Sequence, residues 1–344
     1  MSNVPSPTAD ELVHSPAWLP LEVAPGDAVR LVQLDEAAYG AASFLDQRLL
    51  GMGYPQGTCK LSVLDAAAAR LAPPAHYIFH TGHVGSTLIS RLIGARERFF
   101  CLREPALLRP LAALSPAAAT RAPALGVALA LLGRSWRPGQ CAVIKATSFV
   151  SELAEAILAT DSRAAALFMF VRPLTYLRTI LAGPNSRVES RHLASARLQR
   201  LVRRLGAAQG RDDPRSEGES IAMSWLCEMA ALHQAALRFE RQVLWMDFDA
   251  FLADPRAGLR LILQTLGESP AAADIDALVA GPLMRQYSKA PEHAYDTELR
   301  REVLLSADAE HAAQIRRGLD WLQRVAMHHR LAEAILHRAV REGA

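Results

Sequence analysis

The stretch His76–Gly94, HYIFHTGHVGSTLISRLIG, runs a short apolar segment into a glycine-bracketed turn and then into an amphipathic pattern. Tyr77, Ile78 and Phe79 supply the aromatic and β-branched side chains of a buried strand. Gly82 and Gly85 permit left-handed backbone, and Ser86 and Thr87 set hydroxyls at a helix start. In that layout the backbone N–H groups of Val84 to Leu88 converge on one spot, where the helix dipole favours negative charge. The chemistry is phosphate binding; the alternative is an ordinary strand, turn and helix whose Ser86 and Thr87 are only caps. ATP hydrolysis by the standard route is disfavoured, because that route needs Gly-Lys-Ser/Thr and here Ser86 follows Gly85 directly.

The loop resembles that of the P-loop sulfotransferase superfamily, bacterial members in particular. There a basic residue, Ser, Gly and two hydroxyl residues hold the 5′-phosphosulfate of 3′-phosphoadenosine 5′-phosphosulfate (PAPS). The matching residues are His83, Val84, Gly85, Ser86 and Thr87, with His83 standing where the family places Lys or Arg. The segment AAALFMFVRPLTYLRTI resembles the family's second signature, which implies that Arg172 and Thr179 hold the 3′-phosphate. Glu104, in FFCLREPALLR, lies 21 residues after His83, a spacing similar to that of the catalytic Glu in tyrosylprotein and some glycan sulfotransferases. A carboxylate there suits a general base; the alternative is a cap for a helix that Pro105 begins. In QCAVIKATSF, a strand ends in Lys145, and Thr147 stands where many cytosolic members place a catalytic His, which moves the expected base to Glu104. The last match is QVLWMDFDAFLADPRAGLRLILQTLG, a closing strand with an acidic pair and a helix capped by Asp254 and Pro255.

The resemblance implies transfer of a sulfuryl group from PAPS to a hydroxyl or amine of a small-molecule or glycan acceptor, with PAP as product. Gly82 to Leu88 and Arg172 with Thr179 would bind the donor, Lys145 or His83 would stabilise the leaving oxygen, and Glu104 would take the acceptor proton. That scheme calls for no metal. Two competitors stand beside it. One is an ATP-dependent phosphotransferase that binds magnesium through Asp247 of VLWMD; the other is a nucleotide-binding protein without catalysis.

Of 38 basic side chains only Lys60, Lys145 and Lys289 are lysines; a position that keeps Lys is a candidate for one that needs a compact ammonium, with chance retention as the alternative at Lys60. Lys145 is thus the candidate substitute for the base missing at His83. A net charge of +3 implies neither nucleic acid nor an anionic membrane as partner. The four cysteines are dispersed and form no metal-ligand pair. MSNVPSPTADELVHSP lacks a signal-peptide pattern, and APALGVALALLG is too short to span a bilayer, so a cytoplasmic location is expected.

These residues need elements to position them. Strands are expected near 28–34, 76–80, 98–102, 141–145, 165–171 and 243–247, separated by helical stretches. Such alternation predicts an α/β fold: a P-loop-type parallel β-sheet flanked by helices, with ligands at the carboxyl ends of its strands. The division is an N-terminal extension over 1–75, a core over 76–270 and a C-terminal helical segment over 271–344. Helices are expected in ASFLDQRLL and VLDAAAARL, from Ser306 and Asp308 onward, and from about Asp320 to Arg341. Arg187, Arg191, Arg197, Arg200, Arg203 and Arg204 form a basic helix read as a solvated face, with recognition of an anionic acceptor as the lesser reading. GAAQGRDDPRSEGES reads as an exposed loop.

Overall fold

A computed structural model describes residues 6–24, 26–115, 117–118, 121–206, 210, 212–286 and 297–343. Lys289 lies outside the described residues. Among the described residues, eight strands form two sheets. β1 (Trp18–Ala24), β2 (Ala28–Gln33) and β3 (Gln56–Lys60) make an antiparallel sheet in that order. β4 (Ala75–His80), β5 (Phe99–Arg103), β6 (Cys141–Lys145), β7 (Ala166–Phe170) and β8 (Val243–Asp247) form a parallel sheet flanked by helices, in the order β5-β6-β4-β7-β8. The expected α/β architecture is therefore present, and each of its five strands lies within a residue or two of the expected bounds.

Every residue of β5 and β7 is buried, which is why these segments read as unbroken apolar runs rather than as alternating ones. Parallel pairing shows in the register: Ala75 faces Ala142 and Ile78 faces Lys145, while Phe99 faces Cys141 and Arg103 faces Lys145. Parallel neighbours cannot be joined by a tight turn, so each strand's carboxyl end runs into a loop and helix.

The chain divides into two compact units. Among the described residues, the first comprises those of 6–79 and 87–166. Its antiparallel sheet packs Val29, Leu31 and Cys59 against Leu64, Ala67 and Leu131. Arg134, buried, ties this region together by donating to the carbonyls of Leu12, Ser15, Trp18 and Leu131 at 2.6–2.9 Å. The second unit comprises the described residues of 80–86, 167–286 and 297–343. Here helix Glu217–Arg238 crosses helix Thr297–His328 at Gly218 and Gly318; a Cβ on Gly218 would lie 2.7 Å from the Gln314 carbonyl carbon, and one on Gly318 would lie 2.7 Å from the Gly218 oxygen.

Several local expectations are corrected. ASFLDQRLL is not a helix: Ala42 is extended, and Asp46 caps a short 3-10 turn over Gln47–Gly51, while the helix lies earlier, at Glu36–Ala41, capped by Asp35. β1 and β3 show no strand pattern in the sequence, because β1 carries Pro20 and Glu22 and β3 is the polar run QGTCK. Ser306 and Asp308 lie inside helix Thr297–His328, which kinks at His311 rather than beginning near there. The final helix is broken at His329, whose extended backbone separates His328 from helix Arg330–Arg341. The basic helix spans Pro184–Leu205, yet Arg197 and Arg200 are buried, and Arg197 donates to the buried Glu228 at 2.7 Å. The polar loop ends early, since Ser216 already caps helix Glu217–Arg238.

Among the described residues no helix is long and apolar enough to cross a membrane. All four cysteines are free thiols, and burial pushes Cys101 and Cys227 up to about 12.

Candidate active site

The loop is built by backbone that few side chains tolerate. Gly82, His83 and Gly85 take φ of 95°, 55° and 68°, so the chain turns through left-handed conformations directly before helix Ser86–Gly94. Val84, which is not left-handed, is followed by the left-handed Gly85, the pairing that turns successive N–H groups toward one side in anion-binding nests. The N–H groups of Ser86, Thr87 and Leu88 fall in the helix's first turn and have no acceptor within it. Thr81 N–H reaches Met169 O at 3.1 Å and Gly82 N–H reaches His80 Nδ1 at 3.1 Å, which fixes the entry to the turn. Gly85 also meets a steric requirement, because a Cβ there would overlap the Phe248 ring.

Two hydroxyls flanking the turn, Thr81 Oγ1 and Thr87 Oγ1, are buried without a hydrogen-bond partner among the described residues. Buried hydroxyls are ordinarily satisfied, so a pair of orphans beside a nest of N–H groups fits an oxyanion ligand. The 5′-phosphosulfate end of the donor therefore fits the residues present.

His83 is turned toward helix Pro184–Leu205: its Nδ1 lies 3.3 Å from Ser186 Oγ and its Nε2 lies 3.4 Å from Glu189 Oε2. Both ring nitrogens thus have partners roughly a hundred residues away in sequence, which no local pattern signals.

Glu104 and Lys145 meet in the first unit. Lys145 is fully buried and its ammonium donates to the Glu104 carboxylate. The backbone adds a second tie, Glu104 N–H to Lys145 O at 2.6 Å, continuing the β5–β6 ladder past Arg103. Glu104 has φ of 53°, a costly conformation for a non-glycine residue. Its neighbours hold it there. Leu45 N–H bonds Arg103 O, Ala106 N–H bonds Leu45 O, and buried Arg103 donates to the carbonyls of Tyr39, Gly40 and Ala42. Pro105 does not begin a helix, which starts at Leu108, so Glu104 is not its cap. Thr147 sits at the head of the 3-10 turn Ser148–Leu153, 3.5 Å from Arg109 Nη2.

In the second unit Arg172 precedes helix Pro173–Ala182. Its guanidinium donates to the Gly343 carbonyl and lies 3.6 Å from Asp247 Oδ2. Thr179 spends its hydroxyl proton on Thr175 O at 2.7 Å, one turn back in the same helix. Thr175, unforeseen, donates to Asp249 Oδ2 at 2.9 Å. Asp247 caps helix Phe248–Ala253 by accepting from Asp249 N–H, and burial pushes its carboxyl up to about 6. A 3′-phosphate at Arg172 therefore has to displace the Gly343 carbonyl and face Asp247. Among the described residues no group of three or more His, Cys, Asp or Glu side chains is arranged to hold a metal ion.

No family model matches the chain, and no curated protein matches it. Among solved structures the chain is similar to a sulfotransferase domain from the curacin biosynthetic pathway, at 13% identity and a TM-score of 0.42, over 74% of this chain and 98% of that one. It is also similar to a sulfotransferase from Alicyclobacillus acidocaldarius, at 14% identity and a TM-score of 0.36, over 78% of this chain and 97% of that one.

Proposed function

We propose that this protein is a PAPS-dependent sulfotransferase. The observation that carries the reading is the loop: three left-handed residues, a helix N-terminus and two buried hydroxyls without partners, all suited to an oxyanion. Gly82 to Leu88 would bind the 5′-phosphosulfate, and Arg172, freed from Gly343, would bind the 3′-phosphate; Thr179 can join it only after giving up its bond to Thr175. The donor supplies an activated sulfuryl group. Glu104 takes the proton of the acceptor hydroxyl or amine as that atom bonds to sulfur, and the bridging oxygen leaves with PAP. Lys145, against Glu104, orients the carboxylate and offers positive charge. His83, held by Ser186 and Glu189, is the second candidate for leaving-group stabilisation. No further group is required in this scheme.

A thermal-shift panel of PAP, AMP and ATP with magnesium tests the proposal. PAP is expected to raise the melting temperature clearly and the others little, because only PAP carries a 3′-phosphate. Stabilisation by ATP with magnesium and none by PAP would move the reading to the phosphotransferase, for which Asp247 is poorly placed as a buried helix cap. Stabilisation by PAP with no turnover of any acceptor would leave a nucleotide-binding protein without catalysis.

A further inference from the structure

A basic concavity lies wholly within the second unit. It encloses about 500 Å³ between helix Pro184–Leu205 and the start of helix Glu217–Arg238, and its described lining includes Arg187, Arg191 and Arg215 with the hydroxyl residues Ser190 and Ser220. Arg187 and Arg191 stand one turn apart on one helix and converge on a single carboxylate. Arg187 grips Glu217 in a two-pronged contact at 3.0 and 2.6 Å, and Arg191 adds a third bond at 3.1 Å. Arg215 pairs with no carboxylate among the described residues; only its backbone N–H is used, on Glu219. Two guanidiniums therefore hold the one carboxylate in the described lining while a third, that of Arg215, lines the same cavity, which is left with an excess of positive charge.

The same helix connects this cavity to the loop. Ser186 and Glu189, which touch His83, alternate along it with Arg187, Ser190 and Arg191, which line the cavity. One helical turn, about 5 Å, separates Ser186 from Ser190. An acceptor held by an anionic group in the cavity would thus have its far end close to the transfer loop.

We infer that this cavity is the acceptor subsite and that it selects a small molecule carrying a carboxylate, sulfate or phosphate group besides its reacting hydroxyl or amine; the assignment of it as an acceptor rests on the sulfotransferase reading above. Guanidinium forks match planar and tetrahedral oxyanions, and Glu217 shows the cavity already holding a carboxylate in that manner. Arg187, chiefly through its hydrogen bonds, holds the Glu217 carboxyl below the usual carboxylate range, so the environment favours the anion. The volume suits a single small molecule, within the roughly 300–1,000 Å³ of typical ligand sites.

The test compares two near-isosteric probes, the anion 4-hydroxyphenylacetate and the neutral 4-hydroxyphenylacetamide, titrated calorimetrically into the full chain with and without PAP. The carboxylate is expected to bind about tenfold tighter or more, with the advantage shrinking as salt rises. Arg191→Ala combined with Arg215→Ala should abolish that advantage; both side chains are exposed, so the variant retains the fold. Equal affinity for the two probes, binding of neither, or an advantage that survives the double substitution overturns the inference. PAP affinity, measured separately, isolates the failures. A chain that prefers the carboxylate but ignores PAP keeps the anion site and loses the sulfotransferase reading, whereas one that binds PAP without preferring the carboxylate loses only the subsite.

Discussion

At Asp247 a carboxyl is buried at the carboxyl end of β8 and its proton is held more tightly in the folded chain than in the unfolded one, with its value pushed up to about 6 from 3.8. The folded state therefore binds the extra proton between those two values, and stability falls as pH rises through that window. Asp247→Asn keeps an oxygen for the Asp249 N–H and removes the ionisation. Urea midpoints for the two proteins should nearly coincide at pH 4 and separate by pH 7, the Asn variant being more stable by about 2–3 kcal/mol. A constant difference across that range would mean that the carboxyl titrates normally. Glu104 carries the opposite risk. Glu104→Gln should lower single-turnover transfer by about 10²–10⁴-fold while PAP still raises the melting temperature. It also leaves the Lys145 ammonium buried without its carboxylate, a loss of about 3–5 kcal/mol, so rates must be compared below the variant's own transition. A rate within about threefold of the parent's, well under the usual contribution of a general base, removes Glu104 from the chemistry.

Two elements depend on the absence of a single Cβ. The loop does at Gly85, where a methyl group would both occupy left-handed backbone and overlap Phe248, the residue after Asp247. Gly85→Ala should destabilise the chain by about 2 kcal/mol or more and eliminate stabilisation by PAP. Full retention of the PAP response would place donor binding away from this turn. The crossing of helices Glu217–Arg238 and Thr297–His328 does at Gly218, which packs against backbone rather than against a side chain that could swing aside. Gly218→Ala should therefore cost about 1–3 kcal/mol in chemical denaturation, without changing PAP affinity measured under native conditions. Both glycines are unremarkable as letters in the sequence. Gly85 is legible because hydroxyls and a helical pattern follow it; Gly218 is not, since its partner Gln314 lies far along the chain.

For the whole molecule, a ligand that binds only the folded chain adds about 2.7 kcal/mol at a hundred times its dissociation constant, so the proposed binding of PAP can be tested from melting alone. The parallel strands were legible because burial on both faces forces long apolar runs, and FFCLR, AVIK and ALFMF can be little else. The turn from Gly82 to Thr87 was legible because left-handed backbone and a helix start restrict residue choice locally. β1 and β3 were not, since an antiparallel edge tolerates Pro20, Glu22 and polar residues whose pairing is settled by β2. Nor was the break at His329, or the burial of Arg197, which is possible only because Glu228 arrives from the next helix to neutralise it. The sequence by itself determined the alternation of strand and helix, the turn at the carboxyl end of β4 and the residue types available for oxyanion chemistry, because each follows from local sterics or periodicity. Tertiary structure alone decided the partners: Lys145 on Glu104, Ser186 and Glu189 on His83, Gly343 and Asp247 on Arg172, and Arg187 with Arg191 on Glu217. A charged side chain states what it can bind, and only the packing of distant segments states what lies within its reach.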